Sequence, residues 1–137
     1  MNVTHEGNVV RAEHPAAVLC WDLARGGVLV YLHNRRSDVT LIDARGGGPG
    51  PDLVFSVSAA LEDEPHDISL SAMGTAEAEI LCTSDGSRIK VRLTARGQEL
   101  KVVREISLDA DSDWIEERLF LENTDERDLL IDRHPAW

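Results

Sequence analysis

Apolar and polar residues alternate at period two through Arg88-Ile-Lys-Val-Arg-Leu-Thr-Ala-Arg96, which gathers Ile89, Val91, Leu93 and Ala95 on one side. Successive side chains of an extended chain point to opposite faces, so this pattern predicts a half-buried strand. Gly97 supplies a turn, and Gln98 to Leu108 alternates again with Leu100, Val102, Ile106 and Leu108 together. The two segments predict an antiparallel hairpin. Asp109 to Asp113 reads as the next loop. Trp114 to Asn123 then sets Ile115, Leu119 and Leu121 on one face and Trp114, Glu116, Arg118, Phe120 and Glu122 on the other. Three strands in succession make a meander.

Upstream, Ser84-Asp-Gly-Ser87 contains an Asp-Gly pair that tolerates positive φ, and it should join a strand at Ala76 to Thr83 to the one beginning at Arg88. Asn8 to Glu13, Ala16 to Asp22, Val28 to His33, Asp38 to Asp43, Asp52 to Ser58 and Asp67 to Ala72 read as further short strands, separated by turn residues such as Gly26-Gly27 and Asn34-Arg-Arg-Ser37. No window carries a helical period beyond one turn at Ala59 to Glu64. The expectation is an all-β fold, an antiparallel two-sheet β-sandwich of roughly ten short strands, forming a single domain over residues 1–137. Gly46-Gly-Gly-Pro-Gly-Pro51 is flanked by stretches too short to fold alone, so it is read as a loop within that domain.

A chain of 137 residues is long enough to bury its own core without staples. Aromatics make up only 4% of it, so that core must come mainly from Val, Leu, Ile and Ala. The net charge of -11, with basic residues scattered among carboxylates, argues against nucleic acid and anionic membranes as partners. No apolar run approaches the ~18 residues of a membrane helix, and the N-terminal segment lacks the features of a signal peptide. A cytoplasmic location is the expectation. Asn2-Val-Thr4 fits a glycosylation sequon, a pattern too short to carry weight. Cys20 and Cys82 are far apart, each in an apolar stretch suited to burying a free thiol.

Candidate chemistry is sparse. The glycine-rich loop lacks the Lys-Ser or Lys-Thr ending of a phosphate-binding loop. Histidines 5, 14, 33, 66 and 134 never fall at i,i+2 or i,i+4, so no metal site is read, and no motif implies a cofactor. Glu116 and Glu117 are adjacent and should face opposite ways, which prevents joint action on one substrate. Trp21, in an apolar strand, reads as core. Arg104 shares a face with apolar neighbours and calls for an ion pair with a carboxylate. Trp114 differs, because its face also carries Phe120, Arg118 and acids. That face is either a binding surface or the inner surface of a second packed sheet. Asp132-Arg-His-Pro-Ala-Trp137 places His134 and Trp137 close together, as a sugar-binding cluster or as a terminal strand.

Leu100-Lys-Val-Val-Arg-Glu-Ile-Ser-Leu108, followed by Trp114-Ile-Glu-Glu-Arg-Leu-Phe-Leu-Glu-Asn-Thr124, resembles a strand pair of galactose-mutarotase-like sandwich (supersandwich) domains, which precede the catalytic domains of several glycoside hydrolases. The likeness covers the last third of the chain. It implies an all-β domain that supports or contacts carbohydrate without itself being catalytic. Such domains are commonly longer than this chain, so the resemblance implies one portion of the arrangement, with further strands expected beyond Asp132 to Trp137. It carries over no catalytic residue.

The reading that follows is a non-catalytic β-sandwich that binds carbohydrate or assists a sugar-processing enzyme, with Trp114, Phe120, Arg118, His134 and Trp137 as ligand-binding residues. One alternative is a protein-interaction subunit that uses a strand edge or the Trp114 face, with a homo-oligomer among its forms. Another is a small sugar isomerase or epimerase using His134 or His66 with Asp132 or Glu117 as acid and base.

Overall fold

The computed structural model describes residues 1–48, 50–59 and 64–136, with the last four of these known by backbone alone. Among the described residues the chain forms twelve strands: β1 (Asn2–Glu6), β2 (Val9–Glu13), β3 (Ala17–Asp22), β4 (Val28–Asn34), β5 (Val39–Asp43), β6 (Asp52–Ala59), β7 (His66–Ser69), β8 (Glu77–Cys82), β9 (Arg88–Arg96), β10 (Leu100–Asp109), β11 (Ile115–Asn123) and β12 (Leu129–Ala136). All pairings are antiparallel. They build a five-stranded sheet in the order β1-β2-β3-β4-β5, a four-stranded sheet β11-β10-β9-β8 and a three-stranded sheet β12-β6-β7. The architecture is the expected all-β sandwich, with its strands divided among three hydrogen-bonded ladders.

The local patterns explain most elements. In the four-stranded sheet, Val102 lies opposite Ala95 and Leu121, and Ile106 lies opposite Val91. The apolar alternation of each strand therefore falls in one plane, and Ile89, Val91, Leu93, Ala95, Leu100, Val102, Ile106 and Leu108 are all buried. β3 differs because it is central in its sheet. Its run Ala17-Val-Leu-Cys-Trp21 is buried throughout, as a strand covered on both faces requires. Residues from all three sheets meet in one apolar cluster that includes Trp21, Phe55, Leu70 and Val102. Trp21 is a core residue, as expected.

Three expectations change. The segment Asp67 to Ala72 is not strand throughout: β7 ends at Ser69 and a 3₁₀ turn, Leu70–Ala72, follows. Burial of Leu70 and the Asp52 carboxylate, which accepts from the Ser71 backbone N–H at 3.1 Å, bend the chain there. A second 3₁₀ turn, Leu23–Arg25, packs beside it and is capped by Asp22, whose carboxylate accepts from Ala24 N–H at 3.0 Å. Gly26 closes that turn at φ 67°, and a Cβ there would sit 1.9 Å from the Leu70 carbonyl oxygen. Only glycine fits. Cys82 is exposed while Cys20 is buried, because Cys82 ends β8 at a sheet margin. The single helical turn considered at Ala59 to Glu64 lies mostly outside the described residues; Ala59 itself ends β6. β1 is a strand that no local pattern marks, and it pairs along its whole length with β2.

Candidate functional site

Two loops at one end of the four-stranded sheet are built by short-range hydrogen bonds. Between β8 and β9, the Asp85 carboxylate accepts from the Ser87 backbone N–H at 3.0 Å and from the hydroxyls of Thr83 and Ser87, each at 2.8 Å. These bonds, the backbone one foremost, draw the Asp85 carboxyl down to about 2. Between β10 and β11, Asp111 N–H donates to the Asp109 carboxylate at 3.0 Å and Trp114 N–H donates to the Ser112 hydroxyl at 3.1 Å. Ala110 N–H donates to the Ser87 carbonyl at 2.8 Å and joins the two loops. The turn between β4 and β5 reaches the same place, because Arg36 forms an ion pair with Asp113.

The loops and the adjoining strand ends enclose an open concavity of about 610 Å³. Leu81, Cys82 and Ile89 give it an apolar wall, and Arg88, Lys90, Ser107, Asp109, Ser112 and Glu116 give it polar edges. Trp114 borders it and is 84% exposed, the most exposed of the large apolar side chains among the described residues. A free indole above a polar-rimmed hollow offers a flat apolar face beside hydrogen-bonding groups.

The same outer face carries a lattice of ion pairs. Arg88 meets Asp109 at 3.2 Å, Lys90 meets Glu105 at 3.6 Å, and Arg92 holds Glu105 through two nitrogens at 3.1 and 2.7 Å. The Glu105 carboxyl is pulled below its ordinary range, first by Arg92. Arg118 pairs with Glu116 at 2.7 Å, which raises the guanidinium above its ordinary value. These bases are already matched by acids, so the face offers little net positive charge to an anionic ligand.

The structure separates the residues that sequence alone grouped. Trp114, Arg118 and Phe120 do share the outer face, yet Trp114 and Phe120 are six positions apart on an extended strand, about 20 Å. Phe120, 49% exposed, lies opposite Val103 near the middle of the edge strand β11 and does not border the concavity. Arg118 forms a solvent-exposed pair with Glu116 on its own strand. His134 sits on β12 opposite Val54, in a different sheet from Trp114. The side chain of His134 and the whole of Trp137 lie outside the described residues. Among the described residues no histidine lines the concavity.

Two of the residues named for acid-base chemistry, His66 and Glu117, are engaged elsewhere. His66 Nε2 lies 2.7 Å from Glu99 on the surface. Glu117 accepts from Arg104 Nε at 2.6 Å, and Arg104 Nη1 donates to the Gly27 carbonyl. The ion pair expected for Arg104 is therefore present, with the residue only 5% exposed, beside a small cavity also lined by Asp52, Leu53 and Leu70. His14 is another buried polar group. Its Nδ1 accepts from Ala16 N–H at 3.0 Å, which leaves Nε2–H to donate to the Asp109 carbonyl at 2.7 Å. His14 thus ties the β2–β3 turn to the loop bearing Trp114, a role that its sequence neighbours do not signal. Among the described residues no group of three or more His, Cys, Asp or Glu is placed to hold a metal ion, and no helix is long and apolar enough to cross a membrane.

Neither models of known protein families nor curated proteins give a match to this chain. The segments Leu100 to Leu108 and Trp114 to Thr124 correspond to β10 and to β11 with its flanks, which are adjacent antiparallel strands.

Proposed function

We propose that this chain is a non-catalytic β-sandwich that binds carbohydrate, alone or in support of a sugar-processing enzyme, through the concavity beside Trp114. The observation that carries the reading is the 84% exposed indole over a polar-rimmed hollow. Burying a ring of this kind against the apolar face of a sugar is favourable, while Arg88, Asp109 and Ser107 supply charged and hydroxyl partners for sugar hydroxyls. The ion-paired surroundings suit a neutral glycan better than a phosphorylated one. Titration of soluble neutral glycans, followed by tryptophan fluorescence up to about 10 mM, tests this at the affinity expected of a single shallow site. A saturable change that disappears in Trp114→Ala supports it, and a flat response across a broad panel overturns it. Because Trp21 is buried, its emission provides a constant background.

A second reading, an interaction subunit, draws on a separate observation. β11 lies at a sheet margin, and Trp114, Phe120 and Leu121 are exposed along it.

A further inference from the structure

We propose that β11 pairs with the β11 of a second copy of this chain, antiparallel about a two-fold axis at Glu117, to form a homodimer with one continuous eight-stranded sheet. The argument begins with the phase of the hydrogen bonds. Thr124 N–H donates to the Glu99 carbonyl at 2.9 Å, extending the β10–β11 ladder. In an antiparallel ladder alternate residues bond to one neighbour, so the even-numbered residues of β11 face β10. The backbone groups of Ile115, Glu117, Leu119 and Leu121 therefore point out of the sheet, available to another strand.

The side chains then select a register. With the axis at Glu117, positions whose numbers sum to 234 stand opposite one another. Glu116 meets the partner's Arg118, Ile115 meets the partner's Leu119, and Trp114 meets the partner's Phe120. Each match recurs by symmetry, so every outer or inner position from 114 to 120 except the axial one faces a complement. The axial Glu117 residues are like charges, but each is already paired with its own buried Arg104. Neighbouring registers are poorer. An axis at Arg118 sets arginine against arginine and Glu116 against Phe120, and an axis at Leu119 sets Glu116 against Glu122. The opposite margin of the same sheet, β8, and the β5 margin of the five-stranded sheet carry acids and no base, so neither offers such a match.

The pairing also reunites what the single chain separates. Phe120 lies about 20 Å from Trp114 within one protomer, but across the axis the partner's Phe120 flanks Trp114 on the same outer face. Two aromatic clusters result, one at each concavity. The dimer does not depend on a glycan, so it is tested without one.

Sedimentation velocity on the intact chain, from micromolar to millimolar concentration, should show a reversible species of twice the 15.1 kDa protomer mass. Glu116→Arg should weaken the dimer about tenfold or more, by opposing Arg118 with arginine at two symmetric places. Glu116→Arg together with Arg118→Glu should restore it. Both residues are exposed, so thermal melts of all three proteins should coincide at monomeric concentrations. A wild-type chain that stays monomeric throughout, a dimer indifferent to Glu116→Arg, or a double exchange that fails to restore association each overturns the proposal.

Discussion

Replacing Glu117 with glutamine leaves a guanidinium in the apolar interior without its counter-charge. Arg104 is 5% exposed, lies between Val102 and Ile106 on β10, and stands opposite Leu93 and Leu119 on the flanking strands. Its polar contacts are Glu117 at 2.6 Å and the Gly27 carbonyl. Breaking a fully buried pair by removing one partner costs about 3–5 kcal/mol. The Glu117 side chain is 44% exposed, so water relieves part of this, and a loss of about 2–3 kcal/mol is expected. For a chain of this length the unfolding entropy near 60 °C is roughly 0.3 kcal/mol/K, so the melting temperature should fall by about 7–10 °C. Arg104→Met is the informative contrast. It removes the buried charge and lets Glu117 turn to solvent, losing mainly the bond to Gly27, at a cost of about 1–2 kcal/mol. Urea unfolding of both variants, with an unchanged slope, measures the difference. If Glu117→Gln costs less than about 0.5 kcal/mol, or Arg104→Met costs more than Glu117→Gln, the pair does not neutralise a desolvated cation and the reasoning fails.

Gly26→Ala should abolish cooperative melting or lower stability by about 3 kcal/mol or more, since its Cβ would collide with the Leu70 carbonyl at a positive φ; a melt within 2 °C of wild type would contradict this. Brief alkylation of the native protein should modify Cys82 and spare buried Cys20, giving one adduct by mass spectrometry, and glycan bound in the adjoining concavity should slow it. Carboxyl-carbon NMR should show Asp85 titrating near pH 2 and not at its ordinary 3.8. Because its folded value is depressed, its contribution is fully present above the ordinary value and is lost as pH falls toward and through about 2, so the amide of Ser87 should lose protection over that interval.

The strands of the four-stranded sheet were legible from the chain because their signals are local. Period-two alternation names the strand and its faces, Asp85-Gly86 and Gly97 name the turns, and β9 occupies the same residues, Arg88 to Arg96, that the pattern marks. The need of Arg104 for a carboxylate was equally visible, since a charge on an apolar face announces its own cost. Its partner was not, because selecting Glu117 requires the register between β10 and β11 and the approach of Gly27 from another sheet. The turn at Leu70–Ala72 escaped for a similar reason. Its residues alternate acceptably as strand, and only burial of Leu70 and the reach of Asp52 bend them. The candidate site divides along the same line. Alternation put Trp114, Arg118 and Phe120 on one face, but the spacing of extended chain sets the two aromatics far apart, and no period in the sequence shows which loops will meet. The concavity exists because Ser87 bonds to Ala110, Arg36 to Asp113 and His14 to Asp109, contacts between residues 23 to 95 positions apart. Local pattern decides which way a side chain faces, and only the folded chain decides what stands in front of it.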